Sequence, residues 1–409
     1  MPKLIPFNGI VPNKEIVEKV VSKPYDKYTL KEVTDIVTSN EDSFLNIIQP
    51  ELALNKKRQP ITLENLKKSR KKFESFLEKG IIEKKQKLGF YIYRQIKPEF
   101  TYTGIIANIS AEDYRNGNIK IHEQTLAPKE EKLKEYLKTV GINAEPVMFT
   151  YPHQASIDNL VSRLVCKEKY ADFEKDGKRH QLWHIEHEDD INEIASVFDT
   201  IERVYVADGH HRSASSVLLA EELNKKEEGP WSNFMGIFFP DHNLQLFEFN
   251  RLVKDTNNLT VAEIIAALGE DFLVEHISKS TYKPLILHEI SMYLSGEWYS
   301  LKLKHERKND QLTDKLDANI LSKNILSPIF GIHDLRNDAR IDFLSGLFGS
   351  EALKEKVDSK QFSIAFGLFP VSFEQFFSFS DQGKMMPPKT TWFEPKLLNG
   401  LVMYDLEIN

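Results

Sequence analysis

Apolar positions recur at helical spacing in ITLENLKKSRKKFESFLEKG (61–80), where Leu63, Leu66, Phe73, Phe76 and Leu77 share one face and Gly80 supplies the stop. The opposite face is rich in lysine and reads as a solvated surface. The residues before it read as loops. β-Branched and aromatic residues crowd into LGFYIYRQI (88–96) and TYTGIIANI (101–109), which predicts two strands. From about residue 118 the pattern alternates. A helix is expected near 129–139 ending at Gly141, then a strand at PVMFTY, a helix at 154–165, a strand at QLWHIE and a helix at 188–199. This alternation predicts α/β layering, within a mixed α+β chain. A strand at ERVYVA (202–207) then meets the polar turn DGHH and a helix whose apolar face carries Ala214, Val217, Leu218 and Leu223.

Further on, SNFMGIFFP and LQLFEF read as neighbouring strands forming a hairpin around DHN, and TVAE (260–263) has the form of a capping box for a helix to Leu268. The charged stretch 305–319 reads as a surface excursion or a mobile link rather than core. Strands are expected at 340–345 and 362–369, and KMMPPKTTWFEPKLLNG is too rich in proline for regular structure.

The length of 409 residues suits two or three compact units, and we expect regions 1–115, 116–240 and 241–409. At 41% hydrophobic and 28% charged residues, the chain has the composition of a folded globular protein. A formal charge of −7 gives no general attraction to nucleic acid, so no nucleic-acid partner is expected. The single Cys166 excludes an intrachain disulfide and any multi-cysteine metal site, which favours a reducing, cytoplasmic setting. No secretory signal pattern opens the sequence and no apolar run approaches ~18 residues, so no membrane span is expected. The oligomeric state is not legible.

The candidate chemistry centres on Asp208, Gly209, His210, His211 and Arg212. A strand that runs through this turn into a helix presents free backbone N–H groups at the helix N-terminus, which is an anion site. Gly209 permits the tight turn, the two histidines can donate hydrogen bonds, and Arg212 offers a planar fork that matches phosphate oxygens. Asp208 cannot favour an anion unless a cation or a hydroxyl lies between them. It suits a magnesium ion, a substrate hydroxyl or the orientation of a histidine. The plainer alternative makes Asp208 an ordinary helix cap, and a zinc site through His210 or His211 is a further one. A second cluster, IKIHEQT, places His122 and Glu123 at a strand end, where Glu123 is either a candidate base or half of a surface ion pair.

VADGHHRSAS, with SKPYDKYT (22–29), SFLNIIQPE (43–51), IKIHEQT, GIHDLRND (331–338) and MPPKTTWFEPK (386–396), resembles the DUF1015 family of bacterial and archaeal proteins. The DGHHR turn itself resembles the nucleotide-phosphate loop of the ParB/sulfiredoxin-like superfamily, which includes CTP-binding partition proteins, sulfiredoxins and free serine kinases. This resemblance implies a ParB/sulfiredoxin-like nucleotide-binding core with N- and C-terminal α/β extensions. It further implies phosphate held by Gly209, His210, His211, Arg212 and Ser213, magnesium at Asp208, and Glu123 as the base that deprotonates an acceptor hydroxyl. His122, Tyr25, Asp26, Arg336 and Lys389 are then expected at the substrate. The implied activity is phosphoryl transfer from ADP or ATP to a small hydroxyl-bearing metabolite such as free L-serine. A nucleotide-binding switch without transfer, and a metal-dependent hydrolase, are the rival readings.

Overall fold

A computed structural model describes residues 1–49, 52, 61–225, 228–278, 280–304 and 312–408. The described chain divides into two compact units, Met1–Leu244 with Pro395–Asn409, and Gln245–Glu394. Both are mixed α/β.

The first unit is built on an eight-stranded sheet. From edge to edge its strands are Ile119–Lys120, Val204–Asp208, Val147–Tyr151, Asn233–Pro240, Thr101–Ser110, Phe90–Ile96, Lys178–Ile185 and Ala171–Lys175. Two neighbouring pairs are parallel, Val204–Asp208 with Ile119–Lys120 and Asn233–Pro240 with Val147–Tyr151. The remaining pairs are antiparallel. The sheet draws strands from both sides of residue 115. Phe90, Ile92, Ile105, Phe149, Val206 and Phe238 fill its core, with Phe149 stacked on Phe238 at 4.8 Å between ring centroids.

The helix expected at 61–80 runs Leu63–Glu78 and buries Leu66, Phe73 and Phe76. Leu63, expected on the same face, is exposed because it stands in the first turn, ahead of the surface that covers the later residues. The N-terminal residues contain more structure than the loops predicted for them. Leu30–Ser39 is a helix opened by a capping box between Thr29 and Glu32, and it buries Val33 and Val37. The helix His210–Leu223 buries Ala214, Val217, Leu219 and Ala220, so it is enclosed on more than the single face predicted. Ser213, Ser215 and Ser216 make this possible by returning their hydroxyls to the carbonyls of His210, His211 and Arg212.

SNFMGIFFP and LQLFEF do form strands, but not a hairpin. Asn233–Pro240 already has a partner along each edge, and Gln245–Val253 pairs instead with Ile341–Ser345, Ile364–Gly367 and Thr391–Glu394 in the second unit. Thr391–Glu394 corrects a second expectation: the proline-rich stretch contains a strand, because TWFE is free of the prolines that flank it. Of the charged stretch 305–319, residues 305–311 lie outside the described residues. Its end is core, with Leu316, Asp317 and Ala318 buried and the Asp317 carboxylate accepting from the His288 amide at 3.1 Å. The capping box of Thr260 and Glu263 opens Val261–Asp271 as predicted.

The final segment of the first unit folds back onto its beginning. Asn399 and Ser22 exchange backbone hydrogen bonds, as do Met403 and Ile10, and Tyr404–Asp405 pairs with Ile142–Asn143. Among the described residues no helix is long and apolar enough to cross a membrane.

Replacing Phe149 by alanine removes a fully buried ring from the centre of the sheet. A loss of about 3–5 kcal/mol in unfolding free energy is expected, read from the shift of the urea midpoint at unchanged slope.

Candidate functional site

Val204, Tyr205, Val206 and Ala207 are buried because the sheet flanks their strand on both sides, and the strand delivers Asp208 to one edge of the sheet. Gly209 follows with φ 104° and ψ 28°, a left-handed conformation that turns the chain into His210–Leu223. A Cβ there would lie 3.1 Å from the Arg212 guanidinium, so the close approach of that side chain also depends on glycine. No side chain caps this helix, so its first N–H groups have no side-chain acceptor at the turn.

Sheet register brings the second cluster to the first. Val204 pairs in parallel with Ile119, and Tyr205 with Lys120. His122 and Glu123 follow two and three residues beyond the end of this short ladder. The long sequence interval between Glu123 and the turn is thus closed by one short parallel ladder. His122, Glu123 and His210 each offer an atom within 4.8 Å of the others, and the rings of His122 and His210 meet edge to face at 4.4 Å. Burial pushes His210 down to about 4, although the Asp208 charge works to raise it. Burial and the neighbouring His210 drive His122 well below the ordinary histidine value. The pair is therefore neutral near pH 7. Nε2 of His210 is buried and has no hydrogen-bond partner among the described residues. His211 faces the other way, and its Nε2 accepts the Leu126 amide at 3.1 Å.

The antiparallel neighbour contributes from its start. Because Asp208 pairs with Met148, the residues entering that strand lie beside the turn. Glu145 Oε1 stands 2.9 Å from Arg212 Nη1, which also donates to the Pro146 carbonyl. Burial pushes the Glu145 carboxyl up, with the Arg212 charge opposing. On the folded-back segment, Lys396 Nζ lies 2.7 Å from Asp208 Oδ2, while Arg212 Nη2 lies 3.8 Å from Oδ1. Burial works to raise Asp208, but Lys396 and then Arg212 outweigh it and hold the carboxylate well below its ordinary value. The chain itself thus supplies cations to Asp208.

Arg212 and Glu145 line one side of a pocket of about 360 Å³, together with Tyr25, Asp26, Tyr136 and Asn399. Phe44, Ile48, Leu133 and Met235 give the remainder an apolar lining. Tyr25 and Asp26 belong to the short 3₁₀ turn Tyr25–Lys27, and Asp26 pairs with Lys27 at 3.0 Å. Ser213 is wholly enclosed, its hydroxyl spent on the His210 carbonyl. Arg336 and Lys389 belong to the second unit. The Arg336 amide donates to Asp334 in an exposed turn, and Lys389 Nζ stands 5.0 Å from the Phe249 ring centroid.

Two functional candidates were not picked out by the sequence. Lys396 ends the motif MPPKTTWFEPK, whose lysine at 389 drew the attention. Glu145 directly precedes the PVMFTY strand, and only the antiparallel register shows that a strand's first residues meet its neighbour's last.

Gly209→Ala should cost about 1–3 kcal/mol of stability, because alanine must hold a left-handed φ against Arg212, and thermal unfolding will read it. The histidine pair gives a pH dependence. His210 titrates near 4 when folded against about 6.5 when unfolded, so the unfolded chain takes up more protons between these values. Stability is expected to fall as pH drops from 6.5 to 4, and the slope in urea melts should lessen in His210→Asn.

A free serine kinase in complex with AMP superposes with a TM-score of 0.39 at 12% identity, covering 74% of this chain and 92% of that one. A conserved hypothetical protein from Pyrococcus furiosus gives 0.37 at 14% identity, covering 74% and 96%. SbnI with a C-terminal truncation from Staphylococcus aureus gives 0.36 at 12%, covering 72% and 85%. No curated protein matches the sequence. Residues 4–319 match the family described as protein of unknown function (DUF1015), and the chain belongs to that family.

Proposed function

We propose that the first unit is a ParB/sulfiredoxin-like nucleotide-binding core and a small-molecule kinase. It transfers a phosphoryl group from ADP or ATP to the hydroxyl of a free amino acid such as L-serine. The observation that carries this reading is the meeting of an uncapped helix N-terminus, Arg212 and Lys396 at one turn, with a Glu123 carboxylate oxygen within 4.8 Å of a ring nitrogen of His210. The resemblance of the DGHHR turn to nucleotide-phosphate loops supports it.

The roles follow from the chemistry of each group. The first amides of His210–Leu223, with Arg212 and Lys396, bind the phosphate oxygens and offset the charge that develops on them. The apolar pocket beside Arg212 receives the nucleoside, and its volume suits such a ligand. Glu123 accepts the proton of the acceptor hydroxyl as that oxygen bonds to the terminal phosphorus and the bridging P–O bond breaks toward the nucleotide. Tyr25 and Asp26 stand where they could contact a bound ligand. Both Asp208 oxygens already face fixed cations, so Asp208 is a poor direct ligand for magnesium. A magnesium ion would enter on the nucleotide's own phosphate oxygens, while Asp208 positions Lys396 and Arg212.

A second reading, a nucleotide-binding switch without transfer, is favoured by the Arg212–Glu145 pair, which an arriving phosphate must open.

Incubation with L-serine, magnesium and either ADP or ATP, followed by ³¹P NMR, should show O-phosphoserine. Glu123→Gln should lower turnover by about 10²–10⁴-fold while calorimetry finds nucleotide affinity unchanged. Lys396→Met should weaken nucleotide binding about tenfold, near 1.4 kcal/mol. Binding without any phosphorylated product selects the switch.

A further inference from the structure

The opposite edge of the same sheet carries a second group of ligating side chains. Val147–Tyr151 runs antiparallel to Val204–Asp208, so its C-terminal end points away from the DGHHR turn. Its parallel neighbour Asn233–Pro240 ends at that same far edge, with Pro240 paired to Tyr151. Two residues beyond each, His242 comes level with His153. Asp158, in the first turn of the helix Ala155–Leu164, completes the group.

His153 Nε2 lies 2.9 Å from Asp158 Oδ2, and His242 Nε2 lies 3.2 Å from the same oxygen. One atom from each of the three residues falls within 4.8 Å of the others, and the two rings stand at 88° with centroids 4.7 Å apart. Ligands about 2.1 Å from a tetrahedral ion are separated by about 3.4 Å, so two of these spacings are within a few tenths of an ångström of what such an ion needs. Two imidazoles converging on one carboxylate oxygen suit zinc and its divalent neighbours; magnesium and calcium prefer all-oxygen sites. Asp241 Oδ1 accepts the His242 backbone amide at 2.7 Å and lies 3.8 Å from the ring Nδ1, adding negative charge beside the group. Asn243 Nδ2 is 3.3 Å from His242 Nε2 and would turn aside when a cation takes that lone pair. Beside the group lies a pocket of about 220 Å³, lined among others by Asp158, His242, Ser162 and Arg94, with room for water or a small ligand to complete the coordination.

We infer that His153, Asp158 and His242 form a binding site for a divalent transition-metal ion of the zinc class, at the sheet edge opposite the phosphate-binding turn. The ion has three protein ligands and an open position toward the pocket, the pattern of sites where the metal acts on a bound molecule.

Cobalt(II) is the probe. The full chain is equilibrated with Co²⁺, freed of unbound ion by gel filtration, and read by visible absorption and elemental analysis. A ligand-field band of four-coordinate cobalt is expected in the wild type and in His122→Gln, which disables the other histidine cluster. It should vanish in His153→Ala and His242→Ala. Both positions are exposed, and unchanged circular dichroism will show that these variants fold. Loss of a direct ligand should weaken the metal by more than the roughly 10–100-fold typical of an outer partner. Absence of bound cobalt in the wild type, retention of the band in His242→Ala, or its loss in His122→Gln would each overturn the assignment.

Discussion

Asp208 closes a strand whose other four residues are buried, and its own partly buried carboxylate receives compensation from nearby. Two cations from distant parts of the sequence provide it, Arg212 one helical turn ahead and Lys396 from the segment that folds back. The rest of the site is arranged around this balance. Arg212 pairs with both Asp208 and Glu145 and lines the pocket. Gly209 leaves room for it. Beside the helix N-terminus the two cations face two carboxylates, Asp208 and Glu145, so the acidic charge at these amides is offset rather than left bare.

The turn itself was legible because everything that makes it is local: a run of buried β-branched residues, one glycine, and a helical pattern immediately after. Glu123 was legible as a residue type, but its place near His210 depends on a two-residue parallel ladder that no local signal announces. Glu145 and Lys396 depend on antiparallel register and on a long fold-back, so residue type alone did not single them out. The hairpin expectation failed for a related reason. Whether two consecutive strands pair depends on which sheet edges remain open, and both edges of Asn233–Pro240 are occupied. By contrast, the helix Leu30–Ser39 carried a readable start in Thr29 and Glu32, obscured by the β-branched and polar residues between its few buried positions.

Mixed sheets give these arrangements a common logic. Wherever two parallel strands are neighbours, both chains leave the sheet at the same edge, and the residues just beyond the last ladder rung are brought together however far apart they are in sequence. The first unit has two such pairs pointing to opposite edges, and each gathers histidines and a carboxylate at its exit.

The return of Pro395–Asn409 to the first unit has a temporal consequence. During synthesis the sheet, the glycine turn and the helix N-terminus all emerge before the second unit, yet Lys396 follows after all of its residues. Until then Asp208 has only Arg212 to answer it. The first unit therefore completes its own pairing late, when Pro395–Asn409 returns to Ile10, Ser22 and Ile142–Asn143.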